Sequence, residues 1–248
     1  MIRVDNHVHS KYSQDSRVDI KDIAKSAKEK GLEYIAITDK VDFSIQPIKD
    51  AIHRMKKRND AIDEYGQNNG IKIIKGIEIN EPHLYQEEQK MLLEATEMDY
   101  VLGSVNHVLG VPIKKMANNP SVVELYLKTL YQMVEEADID AVAHLDYLKR
   151  FVNNPDFNDE MIKEIMKTMV YRGIGLEINT SGIRHGVTTY PSREYIDLYV
   201  ACGGDKVLYG SSAHQVNEIY DGIEDAKNDI IDYDLDDYAV IDRKFRRL

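Results

Sequence analysis

Cysteine and tryptophan are nearly missing from this chain of 248 residues, which has one cysteine and no tryptophan. A single cysteine excludes an internal disulfide framework. Cys202 ends the apolar stretch Tyr199–Cys202, which is typical of a packed core residue rather than a nucleophile. Aromatic packing is left mainly to the 16 tyrosines.

Long basic runs and long apolar runs are also lacking. The formal net charge is −11, so nucleic acid is not an expected partner. No apolar stretch approaches the roughly 18 residues that span a membrane, and no signal peptide opens the chain. We therefore expect a cytoplasmic protein without a membrane partner, whose oligomeric state the sequence leaves open. An acidic surface does not attract anions in general, so any phosphate site has to be local.

Short apolar runs alternate with helical patterns along the chain. The predicted strands are Ile2–Val8, Tyr34–Thr38, Ile71–Ile79, Tyr100–Val105, Ala141–His144, Ile174–Ile178 and Lys206–Tyr209. The predicted helices are Val18–Lys30, Ile45–Tyr65, Pro82–Glu94, Pro120–Ala137, Asp159–Tyr171, Ser192–Cys202 and Val216–Lys227. Asp19 is expected to cap the first helix and Gly31 to end it. The acidic tail Asn228–Asp237 and the basic end Arg243–Leu248 are expected at the surface.

Seven strand–helix repeats without a Pro/Ser-rich linker favour one α/β domain over residues 1–248, built as a β/α barrel. An open doubly wound sheet is the alternative. It loses support because no glycine-rich turn of the dinucleotide-binding type follows the first strand.

Metal-binding residue types stand at the end of nearly every predicted strand. His7 and His9 end the first strand, and two residues apart they point to the same side. An isolated H-x-H is common, and a single strand-end histidine or carboxylate is often only a hydrogen-bonded polar group. In a barrel, however, the strand ends meet at one mouth, where the active site lies. The other strand ends carry Asp39, Asp42, Glu78, Asn106, His107, His144, Asp146, Glu177 and His214.

A ring of imidazoles and carboxylates suits divalent metals. Such metals activate water and neutralise an anionic substrate, and hydrolysis of a phosphate ester needs both. Bridging by the Glu78 carboxylate would allow two metals to lie close together.

The strand ends, taken in order, resemble the motifs of the PHP (polymerase and histidinol phosphatase) family, and within it the histidinol-phosphatase branch. The resemblance covers about Ile2 to Asp225, nearly the whole chain. It implies a distorted (β/α)7 TIM-like barrel, the PHP fold, with up to three metals, commonly zinc, iron or manganese. The matching segments are His7–Ser10 with Asp15-Ser16, Ile37–Asp39 with Val41-Asp42, Lys75–Glu78, Gly103–Val105, Ala143–Tyr147, Leu176–Arg184 and Gly210–His214.

The resemblance also implies roles for single residues. Arg184 falls where the branch has an arginine for the substrate phosphate, a role that suits a guanidinium fork. The positions of metal ligands fall on His7, His9, Asp15, Glu78, His144 and His214. All of these except Asp15 are also expected to be catalytic.

Three ligand positions of the family are altered. Lys40 and Asn106 stand where the family has histidine, with His107 displaced by one residue, and Ser212 stands where it has aspartate. An ammonium about 4 Å from a divalent ion would be repelled by roughly 8 kcal/mol at an effective dielectric near 20. Lys40 therefore points away, is neutral, or replaces a metal and binds phosphate as a point charge. His107 would take over from Asn106 only if a bulge reversed its direction. We expect fewer than three metals.

Two functions are consistent with this pattern. The first is a metal-dependent phosphatase for a small phosphomonoester, converting L-histidinol phosphate to L-histidinol, which the retained ligand positions and Arg184 favour. The second is a PHP-fold protein with a degraded metal site. It would be inactive, or repurposed to bind a phosphorylated ligand through Lys40 and Arg184, and the three altered positions favour it.

Overall fold

Parallel strands form a nearly closed barrel in the computed structural model, which describes residues 2–66, 70–233 and 235–248. The strands of this part of the chain are β1 Val4–Val8, β2 Tyr34–Ile37, β3 Lys40–Val41, β4 Lys72–Asn80, β5 Tyr100–Ser104, β6 His107–Val108, β7 Val111–Pro112, β8 Ala141–Val142, β9 Gly175–Asn179, β10 Val207–Gly210, β11 Tyr238–Ile241 and β12 Lys244–Arg247. The barrel runs in the order β1-β2-β4-β5-β8-β9-β10, and β3 pairs with the far end of β4. A bridge between Val8 and Ala213 brings the two ends of the sheet together. The predicted (β/α)7 barrel is confirmed.

Helices surround the sheet, and neighbouring helices contact one another around it. Their bounds are α1 Ile20–Glu29, α2 Ile48–Gly66, α3 Gln86–Ala95, α4 Ile113–Met116, α5 Val122–Glu136, α6 Asp159–Arg172, α7 Ser181–Arg184, α8 Arg193–Ala201 and α9 Ile223–Asp229. In the described part of the chain, no helix combines the length and the apolar character needed to cross a membrane.

Helix α1 shows how local sequence sets these elements. Its apolar residues recur at helical spacing, and Ile20, Ile23 and Ala27 are buried against the barrel. The Asp19 side chain accepts a hydrogen bond from the backbone N–H of Lys21, which satisfies one of the free donors at the helix start. Gly31 follows the helix with φ of +70°, a conformation that glycine adopts without strain. The predicted cap and stop are confirmed.

The inside of the barrel is partly polar near β1. All five residues of β1 are buried, including Asp5 and His7. The Asp5 carboxylate accepts hydrogen bonds from the backbone N–H and the hydroxyl of Ser211 and from the N–H of Tyr220. Because buried polar groups are costly unless paired, these bonds tie β1 to the segment after β10 and help to close the barrel.

Two predicted helices are wrong in part. The run Val216–Lys227 is a short 3₁₀ turn followed by a break, with φ of +62° at Tyr220 and +72° at Gly222, before α9 begins. The run Pro82–Glu94 is likewise divided at Tyr85, whose φ of −132° is not helical. In both cases the apolar period continues while the backbone changes direction.

The C-terminal hairpin was not predicted. Tyr238–Ile241, for which no element was predicted, pairs with Lys244–Arg247 as β11–β12, and Ala239 and Val240 are fully buried. Phe245 lies beside Gly175 at the start of β9, so the hairpin covers the amino ends of the barrel strands. Most side chains of Arg243–Leu248 are still partly or fully exposed, and Asp234 lies outside the described residues. Cys202 is half-buried and packs on the core, as predicted.

Candidate metal centre

Two imidazoles at the end of β1 are held through their Nδ1 atoms. His7 Nδ1 lies 2.5 Å from Glu177 Oε1, and His9 Nδ1 lies 3.2 Å from Ser13 Oγ. The Ser13 hydroxyl donates to Asp15, so it accepts the proton of His9 Nδ1. With both Nδ1 atoms engaged as donors, the two Nε2 atoms face each other across 3.0 Å.

The carboxylates around the two imidazoles favour a positive charge on His7. Burial by itself lowers the pKa of His7, but the Glu177 and Glu78 carboxylates outweigh burial and raise it to about 10. The pKa of His9 is lowered by burial and by the charges of His214 and His7. The two carboxylates therefore favour positive charge at the position between the two Nε2 atoms.

Glu78 completes a set of donor atoms with the spacing of metal ligands. Its Oε2 lies 3.5 Å from His7 Nε2 and 3.6 Å from His9 Nε2. Two ligands of a tetrahedral metal with bonds near 2.1 Å are about 3.4 Å apart. All three side chains are buried, and their ligand atoms lie within 4.8 Å of one another. The residues present therefore fit a divalent metal.

A second group of possible ligands lies nearer the surface. His9, Asp15 and His214 also place ligand atoms within 4.8 Å of one another. His214 Nδ1 is 2.9 Å from the Ser212 carbonyl, while its Nε2 is 3.3 Å from Asp15 Oδ2. Burial opposes ionisation of Asp15, but the neighbouring His214 and His9 outweigh it and lower the pKa of this carboxyl. The two groups share His9, so they form one continuous centre.

His144 lies at the edge of this centre. Its Nε2 is 3.5 Å from Glu78 Oε1, and its ring centroid is 6.2 Å from that of His7. Within the described residues it belongs to neither group of three. Five of the six predicted ligands are thus brought together in two groups, and His144 contacts them through Glu78.

Lys40 points into the centre. In the register of β3 with β4 it stands opposite Glu78, and its Nζ lies 3.6 Å from Glu78 Oε1. Burial lowers the pKa of this ammonium, but the Glu78 and Asp15 carboxylates outweigh burial and raise it, so the charged form is favoured. The expectation that Lys40 points away is wrong.

Of the other altered positions, Asn106 turns away from the two ligand groups, and Ser212 contacts His214 and Arg184 through its carbonyl oxygen. The Asn106 side chain donates to Asn80 Oδ1 and to Ser104 Oγ. His107 Nδ1 lies 2.7 Å from Asn80 Nδ2 and 3.6 Å from Glu81 Oε2. Among the described residues, His107 therefore joins a separate polar cluster and does not replace the ligand missing at position 106.

Arg184 is anchored beside the centre. Its Nη2 donates to the carbonyl oxygens of Ser211 and Ser212, at 2.7 and 3.2 Å. Its Nη1 makes no hydrogen bond within the described part of the chain and lies 3.5 Å from Asp221 Oδ2. The side chain lines a recess of about 400 Å³ together with Asp15 and His214. A second recess, of about 420 Å³, is lined by Lys40 and again by Asp15.

Glu177 was noted in the sequence only as a polar residue at a strand end, and its orienting role was not predicted. Besides holding His7, its carboxylate accepts from the backbone N–H of His144 and from Asn179 Nδ2. Glu177 thereby orients one imidazole and the loop that carries another. The available signal was a glutamate inside the otherwise apolar run of β9, where a charge must be paired.

Comparisons with known proteins agree with this geometry. The PHP domain family matches residues 5–181 of the chain. A probable histidinol-phosphatase of Clostridium acetobutylicum is 28% identical over 227 residues, covering 87% of this chain and 88% of that protein. A probable histidinol-phosphatase of Thermotoga maritima is 27% identical over 248 residues, covering 97% and 96%.

A solved structure shows the same fold. The crystal structure of histidinol phosphate phosphatase from Lactococcus lactis, complexed with zinc, L-histidinol and phosphate, is similar with a TM-score of 0.79 at 19% identity, covering 98% of both chains. The family match spans most of the barrel and includes the buried donor set of His7, His9 and Glu78. This chain belongs to the PHP domain family.

Proposed function

We propose that this protein is a divalent-metal-dependent phosphomonoesterase that hydrolyses L-histidinol phosphate to L-histidinol. The observation that carries the proposal is the buried set of His7 Nε2, His9 Nε2 and Glu78 Oε2, spaced as metal ligands at the mouth of the barrel. The names of the curated relatives and the zinc, L-histidinol and phosphate bound to the structural neighbour support the choice of substrate.

Nitrogen and oxygen donors of this kind suit zinc, manganese or iron. Such a metal, when bound, supplies an activated water and neutralises charge on the phosphoryl group. The six predicted ligand residues are proposed to hold fewer than three ions, because Lys40 already places a positive charge beside Glu78. His7, His9, Glu78, His144 and His214 form the catalytic set in this proposal.

The remaining residues bind and orient. Glu177 and Ser13 keep the Nδ1 protons of His7 and His9 in place, so that both Nε2 atoms point inward. Arg184 offers Nη1 to the substrate phosphate, since Nη2 is already occupied by backbone carbonyls. Asp15 lines both recesses, so a substrate bound in either recess lies close to the Asp15 carboxylate.

The test is release of phosphate from L-histidinol phosphate by the purified chain loaded with manganese, zinc or iron(II). We expect metal-dependent turnover, and a loss of at least about 100-fold in His7→Ala and His9→Ala, because several kcal/mol of charge stabilisation depend on the metal. His53→Ala is the matched control, since His53 is exposed on α2. Turnover retained in His7→Ala would refute the assignment.

The degraded-site function keeps one specific observation in its favour, the ion pair between Lys40 and Glu78. It requires a folded chain that binds inorganic phosphate but shows no turnover with any of the three metals. The same assay, run beside a phosphate titration, therefore separates the two functions.

A further inference from the structure

The two oxygens of Glu78 face different cations. Oε2 lies 3.5 and 3.6 Å from the Nε2 atoms of His7 and His9, where a divalent metal fits. Oε1 lies 3.6 Å from Lys40 Nζ and 3.5 Å from His144 Nε2, and although it is buried it makes no hydrogen bond to the described residues. One buried carboxylate thus connects the metal position to an ammonium.

The backbone holds Lys40 in this position. It is paired with Glu78 in the parallel register of β3 and β4, and its N–H donates to Ser13 Oγ at 3.1 Å. Ser13 is the same residue that holds His9 Nδ1. The ammonium and the imidazole are therefore positioned by one hydroxyl, and the placement of Lys40 is part of the centre rather than of the outer surface.

The ammonium also faces open space. Only 23% of the Lys40 side chain is exposed, and it lines the recess of about 420 Å³ that Asp15 and Tyr147 also line. An ammonium has three N–H donors, and its 3.6 Å ion pair with Glu78 Oε1 is longer than a hydrogen bond. The ammonium can therefore donate to an anion in the recess while it stays beside Glu78.

In a site that hydrolyses phosphate esters with two metals, the two cations clamp the attacking and leaving oxygens. We propose that the Lys40 ammonium is the second cation at Glu78, linked through this carboxylate to the one divalent metal that Glu78 holds with His7 and His9, and that it binds a phosphoryl oxygen of the substrate directly. This inference rests on the proposed phosphomonoesterase function. A second metal at Glu78 Oε1 is excluded, because it would be strongly repelled by the ammonium beside that oxygen.

The first measurement is the number of manganese or zinc ions that each chain retains after equilibrium dialysis, by elemental analysis. We expect one more ion per chain in Lys40→His than in the wild type, because a neutral imidazole removes the repulsion and adds a donor. The wild type is expected to hold at most two ions. An equal count in both proteins, or three ions in the wild type, would overturn the proposal.

The second measurement is binding of inorganic phosphate to the metal-loaded protein by calorimetry. Lys40→Met keeps the side-chain length without the charge, and we expect its phosphate affinity to fall about tenfold or more. Lys40→Arg should stay within about threefold of the wild type. Lys114→Met is the matched control, since Lys114 lines the same recess. Unchanged affinity in Lys40→Met contradicts the proposal, as does an equal loss in Lys114→Met.

The outcomes separate this inference from the proposed function. If Lys40→Met does not fold, the ion counts of the wild type and Lys40→His still decide the matter. Neither measurement uses turnover, so a chain that fails to hydrolyse L-histidinol phosphate can still confirm or refute the role of Lys40 as the second cation.

Discussion

The chemistry of single residues depends here on which imidazole nitrogen carries the proton. Glu177 accepts from His7 Nδ1, and Ser13 accepts from His9 Nδ1, so both rings present Nε2 to the metal position. Partners of this kind orient ligands and raise their basicity. The sequence named the candidate ligands, whereas Ser13 and the orienting role of Glu177 were not predicted from it.

Glu177→Gln should weaken metal binding by about 10–100-fold, the usual effect of losing such a partner. The amide would also place a donor where the Glu177 carboxylate accepts from the His144 N–H and Asn179. The dissociation constant for zinc or manganese, measured by competition with a chromophoric chelator, tests this. Glu124→Gln is the control, because Glu124 is exposed on α5 and pairs only with Lys128 among the described residues. A zinc affinity unchanged in Glu177→Gln would contradict the orienting role.

The raised pKa of Glu81 predicts that the stability of the fold depends on pH. Burial and the nearby Asp42 carboxylate raise the pKa of Glu81 from 4.5 to about 7. Between pH 4.5 and 7 the folded chain therefore keeps a proton on Glu81 that the unfolded chain releases. The contribution of this protonated carboxyl to the free energy of unfolding is fully present below pH 4.5 and is lost as the pH rises through 7. Glu81→Gln cannot ionise, so its stability relative to the wild type should rise between pH 5 and 8 by about 1–2 kcal/mol, allowing for solvent screening.

Urea unfolding of the metal-free proteins at pH 5 and pH 8 measures this difference. Glu29→Gln, at an exposed position on α1, controls for the loss of a surface carboxylate. A difference between wild type and Glu81→Gln that is the same at both pH values would show that Glu81 is already ionised at pH 5.

At the scale of elements, the two ends of the barrel have separate tasks. The carboxyl ends of the strands carry the candidate metal ligands, and the hairpin β11–β12 covers the amino ends. The short strand β3 belongs to the first task, because its pairing with β4 sets Lys40 opposite Glu78. The hairpin serves stability, since Val240 is fully buried while Arg246, on the other strand, is exposed.

Val240→Ala should therefore lower the free energy of unfolding by about 2 kcal/mol through lost burial and a residual cavity. Turnover per folded molecule should not change, because the hairpin lies at the end of the barrel away from the ligands. Urea unfolding and the phosphate-release assay measure the two quantities. Arg246→Ala is expected to have little effect on either. Loss of turnover at unchanged stability in Val240→Ala would mean that the hairpin acts on the active site.

At the scale of the whole molecule, local patterns were sufficient to predict the order of strands and helices. Helix α1 is specified by the helical spacing of its apolar residues, by the cap Asp19 and by Gly31 after its end. The polar residues at the strand ends mark the mouth of the barrel. Local patterns fail where the backbone turns within a continuous apolar pattern, as at Tyr220 and Gly222. The hairpin was missed because its strands are short and largely polar on one face, so their burial depends on the barrel they cover.

The sequence by itself determined the barrel, and it predicted which candidate donor residues stand at the carboxyl ends of its strands. Tertiary structure decided how these donors are arranged: His7 is held by Glu177, 170 residues away along the chain, and the Lys40 ammonium lies beside Glu78. The physical reason is that such contacts depend on strand register and side-chain direction across the closed sheet. Local periodicity encodes neither.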